Sequence, residues 1–265
     1  DLKSINKRYD NKVIVEGIKL LQKYDIDRAV YIHDKFSDLL YKKIYNNDKL
    51  YNFLCEVLLP KSKKMAKKRD KVNIIVSLSR NLLTLPLIPI YSYAKGSSKV
   101  DIIHRYYYAI VASRNEQDVL AEFDTVISYL MKVYSFGKNK RNNLYSNKLF
   151  YEVLYWAIHI VLQNNQTIDD DKIEMVLDKI ACANEYPELW MRILNNEQKS
   201  VELIFESTGS HYYSAINNRY NFIANVFQSI FNFSFQKYMK DPNKFIYMME
   251  SIDENKEISH YKINK

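Results

Sequence analysis

Glycine and proline are scarce, at four and five residues in a chain of 265, too few to supply the turns that an all-β architecture needs. Cysteine is scarcer still. Cys55 and Cys182 stand far apart, each inside an apolar-periodic run, and read as small buried core residues rather than a disulfide framework or a metal site. No uninterrupted apolar run approaches the ~18 residues of a membrane span, and the N-terminus lacks a secretory layout. The expectation is a soluble, cytoplasmic protein without a membrane partner. A glycine-rich phosphate loop, a Cys-x-x-Cys pair, a His-Glu-x-x-His helix and a Gly-x-Ser-x-Gly elbow are all missing, as is a repeat of about 30 to 45 residues. The chain therefore shows no self-contained active site, and neither a cofactor nor a metal is expected.

What remains is helical patterning, and the fold class expected is all-α, an irregular multi-helix bundle of about ten helices. Its length suits one large domain or two modest ones, burying about 70% of the unfolded surface. Apolar residues recur at helical spacing from Asp10 to Tyr24, then as Ala29, Ile32, Phe36, Leu39, Leu40 and Ile44, and after Asn46-Asn47 as Leu50, Phe53, Leu54, Val57 and Leu58 up to Pro60. These predict an N-terminal helical layer over 1–60. Lys61 to Lys71 carries seven basic residues in eleven, which would point all round a helix axis; it reads as a solvated connector or a phosphate-contacting strap. A main helical domain over 72–265 follows, with one continuous domain as the alternative.

Within that domain Val72 to Leu83 is apolar nearly all round, predicting a central buried helix stopped by Pro86. Ser98 is placed to cap a helix through His104, Arg105 and Tyr106-Tyr107-Tyr108 to Arg114, and another is predicted over 116–134. Ser135 to Asn143 is read as a second basic loop, with Ser146 capping the most strongly apolar helix, Leu149 to Val161. His159 inside it reads as a core or boundary residue, because no His, Cys or acid stands one turn away. Thr167 followed by Asp169-Asp170-Asp171 is a helix start rather than a metal cluster. Further helices are predicted from Pro187, over 199–205 and through Phe222, Val226, Phe231 and Phe235.

Polar, aromatic and basic residues concentrate between Phe205 and Tyr220. Gly209 can end one helix and Ser210 can cap the next, whose N-terminus, with His211 and with Asn218 and Arg219 two turns on, could receive a phosphate. An ordinary helix–helix connection is the competing reading. Arg28 and His33 have the R-x-x-x-x-H spacing that resembles the active-site motif of the HEPN ribonucleases, although Ala29 stands where a polar residue is usual. That resemblance implies an imidazole that moves a proton beside an RNA phosphate.

Phe123 to Tyr134, the helix start from Ser146 to Glu152, and Phe205, Thr208 and Asn218-Arg219-Tyr220 resemble the C-terminal helical part of a bacterial family. It is domain-of-unknown-function family 262, whose members carry an N-terminal ParB/sulfiredoxin-like domain with an Asp-Gly-Gln-Gln-Arg motif and include the GmrSD-type modification-dependent restriction systems. The resemblance implies a defence setting in which other parts of a larger protein cut foreign DNA. This chain lacks the Asp-Gly-Gln-Gln-Arg motif and a His-Asn-His-like signature. Its start on Asp1 rather than methionine fits the expectation of a helical portion of something longer, without catalysis of its own.

The leading expectation is a nucleic-acid-associated accessory region, with DNA favoured. It would contact its partner through Lys61, Lys63, Lys64, Lys67, Lys68, Arg69 and Lys71, through Lys138, Lys140 and Arg141, and through Ser210, His211, Asn218 and Arg219. The net charge of +8 permits this without demanding it. The alternatives are a protein-interaction module using the aromatic faces at Tyr106–Tyr108 and at Phe227, Phe231 and Phe235, and a HEPN-like ribonuclease using Arg28 and His33. Other domains of a larger protein or a partner subunit complete the expected partners.

Overall fold

Every residue from Phe150 to Val161 is buried, Glu152 and His159 included, the outcome for a helix that is apolar nearly all round. The rest of the fold surrounds that helix. The computed structural model describes residues 26–84, 116–138, 143–185, 204–205 and 213–238. All regular elements among the described residues are helical: α1 (Ile26–Asn46), α2 (Asp48–Val57), α3 (Lys68–Thr84), α4 (Glu116–Gly137), α5 (Lys148–Gln163), α6 (Asp170–Glu185) and α7 (Tyr213–Phe231). Three short 3-10 turns accompany them, at Lys61–Lys63, Asn143–Ser146 and Gln236–Tyr238. The all-α expectation holds. The helices expected over 10–24, 101–114 and 187–194 lie outside the described residues.

Local chemistry sets the ends of α5. Its N-cap is Asn147 rather than the expected Ser146, which closes the preceding 3-10 turn. Asn147 is extended, at φ −94° and ψ 119°, and its Oδ1 accepts the Leu149 N–H at 2.8 Å. Its Nδ2 donates to the Phe205 carbonyl at 2.8 Å, so the same side chain ties the 204–205 segment to the helix start. At the other end Asn165 takes φ 55°, and the Asn165 and Gln166 N–H groups return to the Leu162 and Val161 carbonyls at 3.0 and 3.3 Å. This is a left-handed C-terminal cap with asparagine where glycine is commoner.

Rings fill the space around α5. Trp156 meets Tyr220 of α7 at 4.7 Å between centroids, and Tyr151 meets Phe53 of α2 at 5.9 Å. Tyr155 lies 6.4 Å from Phe123 of α4, and Phe150 lies 5.5 Å from Phe205. The helix α3 packs on α5 as well. On one side α1, α2 and α3 pack together, α1 burying Phe36, Leu40 and Ile44, which recur at one-turn spacing. On the other side α6 packs against α4 and α7 through Ile173, Val176, Leu177 and Ile180. The helix α4 touches both groups. It is also tied to α1 by the Lys43–Asp124 ion pair and to α6 by Lys132–Asp170 at 2.7 Å.

Three boundaries differ from the sequence reading. The helix α3 starts at Lys68, inside the basic run, because nothing between Lys67 and Thr84 stops a helix. It buries one stripe, Val72, Ile75, Val76, Ser79, Leu82 and Leu83, and leaves Asn73 exposed, so it is not buried all round. Buried residues on both sides of the basic run belong to one core. The helix α4 runs on to Gly137 instead of ending near Tyr134. The helix α7 stops at Phe231, where Asn232 takes φ 50° and turns the chain so that Phe235 packs 5.6 Å from Trp156.

Gly137 marks a close approach. A Cβ there would come within 2.5 Å of Tyr145 Cδ1, and the Tyr145 ring is buried against Phe150 at 5.9 Å. Gly137→Ala is therefore expected to destabilise the fold by about 1–2 kcal/mol in urea unfolding, overpacking outweighing the better helix propensity of alanine. A stabilised variant would show that Tyr145 yields freely.

Candidate nucleic-acid interface

The basic run owes its shape to the end of α2. The Leu58 N–H closes that helix on the Leu54 carbonyl at 3.0 Å, buried Leu59 anchors the exit, and Pro60 stops the helix from continuing. Two tight turns follow, with the Lys63 N–H on the Pro60 carbonyl at 2.9 Å and the Ala66 N–H on the Lys63 carbonyl at 3.1 Å. The Lys67 carbonyl then accepts the Lys71 N–H at 3.0 Å and α3 begins. The run is a compact strap between α2 and α3, held by its own turn hydrogen bonds. Lys63, Lys64, Lys67 and Arg69 are exposed, Lys68 and Lys71 half-buried, and Met65 at the apex is 96% exposed.

Its lysines do different things. Lys68 Nζ holds Asp48 at 2.9 Å and lies 4.9 and 5.0 Å from the ring centroids of Tyr45 and Tyr51, bracing α3 on the junction of α1 and α2. Burial, and next a hydrogen bond to Cys55, push the neighbouring Tyr51 hydroxyl up to about 12. Lys64 reaches back to Glu56 at 3.4 Å. Lys63 and Lys67 point charge outward.

Glu56 is where the strap meets the second basic segment. It lines a cavity of about 700 Å³ between α2 and the end of α4, together with Lys49, Asn52 and Phe53 on one wall and Met131, Tyr134 and Lys138 on the other. Phe53 and Tyr134 meet edge to face at 5.5 Å, joining the two walls. Lys138 follows α4 directly, its N–H on the Tyr134 carbonyl at 2.9 Å and its Nζ 5.9 Å from the Tyr134 ring centroid. Burial, then the charge of Glu56, raises the Tyr134 hydroxyl above its ordinary range. Lys138 lines this groove, and Lys64, 74 positions away in sequence, reaches it through Glu56.

The third expected cluster does not join them. Arg219 is 3% exposed and Asn218 half-buried, on a helix held between α5 and α6, so Arg219 is no surface cation. The polar look of α7 misleads because its asparagines bond to their own helix: Asn221 Nδ2 donates to the Asn217 carbonyl at 3.1 Å and Asn225 Nδ2 to the Asn221 carbonyl at 2.8 Å. Burial and the Glu152 carboxylate push the Tyr220 hydroxyl far up, against an opposing effect of Arg219. Ser210, His211, Lys140 and Arg141 lie outside the described residues, as do Tyr106–Tyr108 and the side chain of Lys61. Phe227, Phe231 and Phe235 are buried and pack on one another, so they form core and not a docking face.

The remaining candidates resolve as structure. His159 is buried, its Nδ1 3.1 Å from Glu122 Oε1 on α4, a partner that a search along one helix could not find. The acidic run starts α6, with Asp169 Oδ1 accepting the Lys172 N–H at 2.8 Å; Asp169, not Thr167, is the capping side chain. Cys55 and Cys182 are thiols outside any disulfide, half-buried rather than fully buried. Among the described residues no group of His, Cys, Asp and Glu is placed to hold a metal ion, and no helix is long and apolar enough to cross a membrane. Arg28 and His33 fall in the first turns of α1, and their side chains lie outside the described residues.

Sequence reasoning missed the cavity walls. Each carries a signal, since Lys49, Asn52, Phe53 and Glu56, and likewise Met131, Tyr134 and Lys138, recur at one-turn spacing on one helix face. What the sequence does not show is that the two faces meet. The chain matches no family model, and no curated protein or solved structure was found to be similar to it.

Lys68 and its neighbour separate bracing from display. Lys68→Ala is expected to lower unfolding stability by about 1 kcal/mol, losing an exposed ion pair and two ring contacts, whereas Lys67→Ala should stay within about 0.5 kcal/mol of the parent. Equal losses in urea titrations would contradict this division.

Proposed function

We propose that this chain is a non-catalytic, nucleic-acid-binding helical region, with DNA as the favoured partner, whose contact surface is the strap 61–71 together with the groove between α2 and the end of α4. The observation that carries the reading is that Lys49 and Lys138 line the groove while Lys64 of the strap holds its Glu56. Scattered compositional lysines have no reason to collect around one concave surface beside an exposed turn. Lysine contacts to phosphate position a strand without reading its sequence, so binding is salt-sensitive and weakly sequence-selective.

The resemblance to the helical part of family 262 supports an accessory place in a bacterial restriction or defence protein, acting in the cytoplasm beside domains that do the cutting. The residues behind that resemblance, Phe123, Phe150, Phe205 and Tyr220, are buried. It therefore speaks to a shared core, and the binding reading rests on the surface instead. A second reading, a protein-interaction module, draws on exposed Met65 and on Tyr45, 41% exposed and stacked on Tyr41 at 5.7 Å.

Fluorescence anisotropy of labelled DNA across a salt series tests the choice. Replacing Lys63, Lys64, Lys67 and Lys138 together by Ala should weaken binding and flatten the log–log salt slope by about 3 to 4, close to one per lost phosphate contact. An unchanged slope would remove these lysines from the interface. Absence of binding at low salt, with a mass by light scattering that rises with concentration, would favour the protein-interaction reading.

A further inference from the structure

The cavity between α2 and α4 has two chemically distinct parts. Phe53 and Met131 give it an apolar floor, and the Tyr134 ring, held edge-on against Phe53 at 5.5 Å, gives it a flat wall. Its rim carries exposed Lys49 and Lys138, with the Asn52 amide beside them. The one carboxylate on the lining, Glu56, is engaged by Lys64 at 3.4 Å, so the rim keeps an excess of positive charge.

At about 700 Å³ the cavity falls within the range of small-molecule sites. A simple inorganic anion would leave the apolar floor unused, and an aliphatic chain would leave the rim lysines and the amide unused. A ligand that is flat and aromatic at one end and anionic at the other uses both parts. We propose that this cavity is a nucleotide pocket, one base lying against Tyr134, Phe53 and Met131, its phosphate at Lys49 and Lys138, and its edge within reach of Asn52. The chemistry is that of a nucleoside phosphate, either free or borne on an unstacked single strand. The strand-borne source rests on the nucleic-acid reading above. It gives the chain a preference for single strands over duplex, because a duplex keeps its bases stacked and out of reach.

The full chain is titrated calorimetrically with AMP, and by anisotropy with a labelled dT oligonucleotide and a duplex of equal length. Three variants at exposed positions are compared with the parent: Lys138→Ala removes a rim charge, Asn52→Trp fills the cavity, and Asn52→Gln keeps the amide. Circular dichroism and urea midpoints confirm that each remains folded. Saturable AMP binding, weakened about tenfold by Lys138→Ala, lost in Asn52→Trp and kept in Asn52→Gln, supports the free-nucleotide source. No AMP binding, with a preference for the dT strand over duplex that Asn52→Trp erases, supports the strand-borne source. If neither AMP binding nor strand preference responds to Asn52→Trp while duplex binding keeps its salt slope, the pocket is overturned and the nucleic-acid reading stands. If AMP binds as expected while no DNA binds at low salt, the nucleic-acid reading falls and the pocket stands.

Discussion

The helix α5 cannot face water on any side, and the architecture follows from that constraint. A segment buried at every position from Phe150 to Val161, nearly all of it rings and aliphatic side chains with Glu152 and His159 among them, must be enclosed by several partners at once. Trp156, Tyr151 and Tyr155 each present far more surface than an aliphatic side chain, and a ring pair adds about 0.5–1.5 kcal/mol beyond its area. The helices α3, α4 and α7 pack on α5, α2 reaches it through Phe53, and α1 and α6 complete the outer contacts. Asn147 serves this arrangement twice, capping α5 and pinning the segment that brings Phe205 against Phe150.

Enclosure of α5 also decides where charge goes. With most of the interior given to rings and Arg219 the buried exception among the described cations, the lysines stay at the surface, and the turn between α2 and α3 takes a dense set of them. Its place next to the end of α4 is a consequence of packing: Phe53 of α2 reaches Tyr151 of α5 and Tyr134 of α4 together. The ring contacts that hold the core thus also bring Lys49 and Glu56 opposite Lys138. Core and groove share a wall, which is why a surface built of flexible lysines has a fixed shape behind it.

Much of the fold was legible in the sequence. Helical periodicity predicted α1, α2, α4, α5 and α6, because each shows an apolar stripe bounded by Asn, Pro or Asp at a helix end. Legibility failed where side-chain chemistry depends on context. Asn217, Asn221 and Asn225 look like a polar surface, yet each of the latter two bonds to the helix turn before it and is buried. Arg219 went inside with them. The strap was visible as charge, but its two turns and its junction with α3 were not. The cavity was invisible because its walls come from helices some 80 positions apart, and periodicity on each says nothing about which faces meet. His159 and Glu122 repeat that lesson inside the core.

If strap and groove act as one surface on nucleic acid, a bound strand covers both together. Amide hydrogen exchange, followed by mass spectrometry with and without a single-stranded oligonucleotide, tests it most directly. Slowed exchange is expected together in residues 49–56, 61–68 and 131–138, with α7 unchanged. Protection confined to α7, or to the strap without the 131–138 segment, would contradict it.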